Sequence, residues 1–139
     1  MFLNNNLSNI NKNFNSFFDS LSSGYLSYFD NKGYPVFSGS ITVKNRNNVF
    51  LHNHTAVYFF HDLRGIHYIG ETIDLKKRYF QHIEKKKNKK LVRTIENSFG
   101  PMKFSWVKVK SKVEALQLQK KWIRIFNPKC NEIKYSTKT

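Results

Sequence analysis

Residues 56–82 read A56-V-Y-F-F-H-D-L-R-G-I-H-Y-I-G-E-T-I-D-L-K-K-R-Y-F-Q-H82. Ala56–His61 is rich in aromatic and β-branched residues, which suits a strand. Asp62-Leu-Arg-Gly65 has the composition of a tight turn, so Ile66–Gly70 should return antiparallel to the first strand. Asp74 is placed to cap a helix running to about Lys85. On such a hairpin Tyr58 and Tyr68 can share one face. On the helix Arg78 and His82, four residues apart, share another.

Outward from this unit the chain keeps a clear rhythm. Lys85–Lys90 is a basic loop. Leu91–Ser98 predicts a short helix stopped by Gly100-Pro101, and residues 102–110, with Phe104, Trp106, Val107 and Val109, predict a third strand. A last helix over 113–126 should end at Asn127-Pro128, because proline disfavours a helical residue before it. Ala115, Leu118, Trp122 and Ile125 form its expected inward stripe. The order β-β-α-α-β-α predicts an α/β domain, with a small antiparallel three-stranded sheet flanked by helices, over residues 53–139. Residues 1–52 read as an accessory extension. In it Leu7, Ile10, Phe14, Phe17, Phe18 and Leu21 follow helical spacing over 6–21, and short strands are expected at 41–43 and 49–51.

The chain has 139 residues, 40% of them hydrophobic, enough for one compact domain. No apolar run approaches a membrane span, no signal peptide is evident, and the single Cys130 fits a reducing, cytoplasmic setting. His52 and His54 have no further soft ligands beside them and read as surface residues rather than a zinc site. The formal charge of +15 is uneven: residues 1–50 carry net +2 and residues 51–139 net +13. A one-signed surplus of this kind points to a polyanion, most simply nucleic acid. Lys76, Lys77, Lys85, Lys86, Lys87, Lys89, Lys90, Arg93, Lys120, Lys121 and Arg124 are the candidate phosphate contacts.

The chemistry available is that of a phosphodiester site. Two phenols can orient water or take its proton, once a nearby cation lowers a phenol's pKa from about 10. Arg78 offers a planar fork to phosphate oxygens. Tyr79, Phe80 and Ile83 supply the buried stripe of that helix, which leaves Arg78 and His82 at its edge. His82 can donate to a phosphate oxygen or a leaving group.

The A-V-Y run ending at Tyr58, the Y-I-G at 68–70 and the Arg/His helix together resemble the GIY-YIG nuclease family. The last helix, E114-A-L-Q-L-Q-K-K-W-I-R-I-F126 followed by N127-P-K-C-N131, is similar to the family's E-A-L-x-L-E and N-P-x-x-N. The resemblance covers residues 56–131. It implies a GIY-YIG fold, with Tyr58 helping to activate the attacking water, Tyr68 assisting it and Arg78 stabilising the phosphorane charge. Gly70 is expected to let the backbone turn tightly from strand to helix, and the resemblance implies that Asn131 folds back to support the site. In the family a glutamate at the position of Gln119 is the sole protein ligand of one Mg²⁺ or Mn²⁺. Glu114 lies about 140° away around the helix and suits its first turn; Glu71 is a weaker substitute.

The resemblance therefore implies a metal-dependent DNA endonuclease, inactive or weakened by Gln119. Either a natural binding-only relative or a nuclease disabled by one change fits, and the alternative function is a non-catalytic nucleic-acid-binding protein that kept the fold. The expected partner is double-stranded DNA, with no membrane association. A homo-oligomer, dimer or tetramer, is expected because one such site cuts one strand. The size and the W-I-R-I-F-N-P ending resemble compact stand-alone phage and restriction enzymes.

Overall fold

The computed structural model describes residues 25–43 and 51–132. The helix expected over 6–21, and Val49 and Phe50 of the strand expected at 49–51, lie outside the described residues; Leu51 is buried in an irregular segment. The described residues fall into two compact units divided between Val36 and Phe37. In the first, a 3₁₀ turn at Tyr25–Tyr28 leads into a loop closed by an isolated bridge between Phe29 and Pro35. Asp30 nucleates that loop by accepting from the Lys32 and Tyr34 amides at 2.8 and 2.9 Å.

The second unit is a four-stranded antiparallel sheet with helices on both faces. The strands are β1 (Gly39–Thr42), β2 (Ala56–Asp62), β3 (Gly65–Thr72) and β4 (Lys103–Lys108), in the spatial order β1-β4-β2-β3. The sheet thus has one strand more than the three expected. β1 pairs with β4 through Gly39↔Trp106 to Thr42↔Lys103. It is a short, half-polar edge strand that overlaps the strand expected at 41–43; its non-local pairing with β4 brings it into the sheet.

The β2–β3 hairpin forms as its sequence indicates, with Asp62 paired to Gly65, whose φ of 124° suits only glycine. A bulge after Phe60 absorbs one residue of β3. Asp62 accepts from the amides of Arg64 and Phe99, the Arg64 side chain and His67 Nε2. Burial pushes its carboxyl up, but the hydrogen bonds from Arg64, His67 and Phe99 outweigh this and hold it far below the usual carboxylate range.

Three helices follow: α1 (Leu75–Phe80), α2 (Lys89–Glu96) and α3 (Lys112–Phe126). Asp74 caps α1 by accepting from the Lys77 amide at 3.0 Å. Instead of continuing as α-helix to residue 85, α1 widens into a π-helical turn at Gln81–Lys85 and stops at Lys86, which is left-handed with φ 52°. Asn88 caps α2 through the Leu91 amide, and Ser111 caps α3 through that of Glu114. Glu114 in turn accepts from the Lys110 amide at 3.2 Å, so its carboxylate is engaged at the helix start.

Period-2 alternation sorts the sheet residues onto two faces. Tyr58, Phe60 and Phe104 pack under Leu75, Tyr79 and Leu91 from α1 and α2. Phe59 points the other way, against Trp122 of α3 at a ring separation of 5.4 Å. Ala115, Leu118 and Trp122 are buried as expected, but Ile125 is 52% exposed and Ile123 takes the inward place. The tertiary course of the chain overrides the helical pattern here. Asn127, with φ 45°, turns it back along β3, and Pro128, Cys130 and Asn131 are all buried. No helix among the described residues is long and apolar enough to cross a membrane.

Asn131 closes the outer edge of β3, accepting from the Ile69 amide at 2.9 Å and donating to its carbonyl at 2.8 Å. Asn131→Ala leaves both backbone groups unpaired and should cost about 2–4 kcal/mol. Urea unfolding should show this as a lower midpoint with an unchanged slope.

Candidate active site

Tyr58 pairs with Gly70, and Tyr68 with Phe60, across β2 and β3. Both phenols therefore lie on the face covered by α1, their ring centres 6.0 Å apart. Gly70 sits inside β3, not at a turn; a Cβ there would overlap the ring and hydroxyl of Tyr58. Its expected role as a strand-to-helix hinge is thus replaced by a different one: it leaves room for the tyrosine.

Tyr58 is fully buried, and its hydroxyl lies 2.7 Å from His82 Nε2. Burial raises its pKa well above the ordinary phenol value, Tyr68 adds to the rise and Arg78 opposes it. Tyr68 is half-buried and is raised by burial too, against a hydrogen bond shared with Tyr58 and the charge of Arg78, with Glu132 adding to the rise. His82 is lowered to about 4 by burial and then by Arg78. At neutral pH all three groups are uncharged. Which of the two groups donates in the Tyr58–His82 contact depends on the imidazole tautomer.

Arg78 is held at two points: Nε donates to Gln81 Oε1 at 3.1 Å and Nη1 to the Glu71 carbonyl at 3.3 Å. The remaining N–H groups of the guanidinium can meet a ligand. Beside it opens a cavity of about 280 Å³ lined by Tyr68, Arg78, Gln81, His82, Lys85, Lys87, Asn88 and Glu132. A neighbouring depression shares Gln81 and Lys85 and adds Lys76 and Lys77.

The structure thus brings Tyr58, Tyr68, Arg78 and His82 together, with Asn131 anchoring the strand that carries Tyr68. Gln119 is half-buried on α3, the helix against the opposite face, and does not line this cavity. The basic residues divide likewise. Lys76, Lys77, Lys85 and Lys87 flank the cavity, Lys86 lines a separate hollow beside His82, and Lys90 lines another near Arg64 and His67. Lys89 and Arg93 are exposed on α2, while Lys120, Lys121 and Arg124 belong to α3. Sequence reasoning missed Gln81, Asn88 and Glu132. Glu132 had a signal, since it directly follows the Asn131 expected to fold back on the site.

Among the described residues no group of three or more His, Cys, Asp or Glu side chains could hold a metal ion by itself. A hard divalent ion in this cavity would take most of its ligands from phosphate and water, with one carboxylate oxygen from the lining, which is compatible with the residues present.

The sequence model of the UvrC-like GIY-YIG domain matches residues 54–132, and the chain belongs to this family. It is 33% identical over 76 residues to the UvrABC system protein C of Hydrogenobaculum sp. (strain Y04AAS1). That match covers 55% of this chain and 13% of the relative's length. No solved structure matches the chain significantly.

Because the native state holds His82 neutral with a pKa near 4, while the unfolded chain binds the proton near its ordinary value of about 6.5, acid favours unfolding. This part of the stability is complete above about pH 6.5 and is lost as the pH falls toward about 4. Thermal melts should show a steeper decline over this window for the wild type than for His82→Gln.

Proposed function

We propose that this chain is a metal-dependent DNA endonuclease of GIY-YIG type that hydrolyses phosphodiester bonds, weakened by the amide at Gln119. The observation that carries the reading is the convergence of Tyr68, Arg78 and His82, backed by Tyr58, on a cavity flanked by lysines in a UvrC-like GIY-YIG domain. Double-stranded DNA is the proposed substrate and Mg²⁺ or Mn²⁺ the proposed cofactor. A twofold homo-oligomer, dimer or tetramer, would cut both strands. We place the enzyme among compact intracellular nucleases of phage or restriction type.

Lys76, Lys77, Lys85 and Lys87 draw the phosphate backbone to the cavity. Arg78, already oriented by Gln81 and the Glu71 carbonyl, meets the scissile phosphate with its free N–H groups and stabilises charge that builds there. Tyr68 presents its hydroxyl to the cavity and orients the attacking water as a phenol. Tyr58 has no access to solvent; in this reading it donates to His82 Nε2, so that Nδ1–H serves a phosphate oxygen or the leaving oxygen. A bound divalent ion supplies Lewis-acid stabilisation of the phosphate charge.

The test is nicking of supercoiled plasmid with Mg²⁺ or Mn²⁺ beside an EDTA control. Gln119→Glu should raise the rate by about 10² or more, about 3 kcal/mol of transition-state stabilisation, and Arg78→Ala in that background should remove the gain. A Gln119→Glu variant that binds DNA as before and never cuts would move the chain to the second reading, a binding protein on a nuclease frame.

DNA binding itself should need no metal. With about five to eight phosphate contacts, the log–log dependence of affinity on salt should have a slope near −5 to −7. Fluorescence anisotropy across a salt series measures it, and a flat response would remove the electrostatic basis of the reading.

A further inference from the structure

The amide oxygens that line the cavity are already engaged. The Gln81 amide oxygen already accepts from Arg78 Nε, and that of Asn88 from the Leu91 amide. The second amide group of Asn88 is engaged as well, donating to the Cys130 carbonyl at 2.8 Å. His82 Nε2 is taken by Tyr58. Arg78, Lys85 and Lys87 are donors only. Of the eight lining residues Glu132 alone carries a carboxylate, and it lies open to a cation, whereas the Tyr68 hydroxyl is shared with Tyr58.

Glu132 does not reach this place on a loose tail. The preceding residue, Asn131, is clamped to both backbone groups of Ile69, directly beside Tyr68. The carboxylate therefore emerges at the edge of β3 on the tyrosine side, close enough for its charge to act on Tyr68.

We infer that Glu132 is the cation-holding carboxylate of this cavity, with the Tyr68 hydroxyl beside it, in place of the carboxylate that Gln119 does not supply. The inference rests on the nuclease reading above and relocates its metal ligand from α3 to the segment returning along β3. One carboxylate among Arg78, Lys85 and Lys87 is a poor ion site until an anion joins it. The ion and the DNA phosphate should accordingly bind together, each supplying charge the other needs.

The experiment is a Mn²⁺ titration of the full chain, followed by loss of the free aquo-Mn²⁺ electron paramagnetic resonance signal. It is run with and without a duplex oligonucleotide, and uptake by the duplex alone is subtracted. The wild type should take up Mn²⁺ mainly when DNA is present. Glu132→Gln should weaken that uptake by at least about tenfold and slow nicking in parallel. Its melting temperature should not change, and its metal-free DNA affinity should be equal or higher, since a negative charge has left a phosphate site.

Unchanged Mn²⁺ uptake by Glu132→Gln overturns the inference, and so does faster nicking, which would mark Glu132 as a barrier to phosphate. If the wild type takes up no Mn²⁺ while Gln119→Glu does and cuts, the relocated ligand is wrong and the nuclease reading stands. If Gln119→Glu neither takes up Mn²⁺ nor cuts, both fall.

Discussion

The site depends on one steric allowance: β3 has no side chain at Gly70, and Tyr58 fills the space. A strand tyrosine normally stands beside its cross-strand neighbour. Here it lies over the neighbouring backbone, fully buried, with its hydroxyl directed at His82. That contact ties β2 to the π-helical turn of which His82 is part, and the turn carries Gln81, which accepts from Arg78. One missing Cβ thereby links the sheet to the cationic group most suited to a phosphate.

Burial then separates the polar groups into two kinds. Tyr58, Tyr68 and His82 are kept neutral by desolvation, and the charge of Arg78 reinforces this for His82 while opposing it for the phenols. Arg78, Lys85 and Lys87 supply permanent positive charge around the cavity. Neutral groups can orient water or donate without a desolvation cost that grows when the ligand arrives. The permanent charges do the attracting. In such a division, affinity for a polyanion follows the lysines and arginines, whereas the chemistry follows the positions of a few uncharged side chains.

Much of this could be read from the sequence, and the reason is local. The hairpin, the Asp74 cap, the shared face of the two tyrosines and the proximity of Arg78 to His82 follow from period-2 and helical spacing over short separations. The parts that escaped are those set by distant contacts. A short strand is expected at 41–43, but not its place in the sheet: β1 joins it along the edge that β4 offers. The choice of Ile123 over Ile125 reflects where the chain goes after α3. The role of Gly70 depends on what lies across the strand, and the free carboxylate of Glu132 on which neighbouring amides are already engaged.

The two faces of the sheet remain distinct problems for the chain. α3, with Gln119, packs on the side of Phe59, while the phenols and Arg78 belong to the side of Phe60 and Tyr79. A side chain on α3 is separated from the cavity by the sheet and by the outer edge of β3 that Asn131 closes. The segment 127–131 is what joins the two sides. It leaves α3 at a left-handed Asn127, donates from the Cys130 amide to the His67 carbonyl at 2.9 Å, buries Cys130 in the tyrosine-side core and clamps Ile69 through Asn131. Any residue fixed to that segment is held at the edge strand by backbone hydrogen bonds, whereas a long side chain from α3 would have to span the edge with its own rotamers. The edge clamp is therefore the more rigid support for a ligand that must sit beside Tyr68.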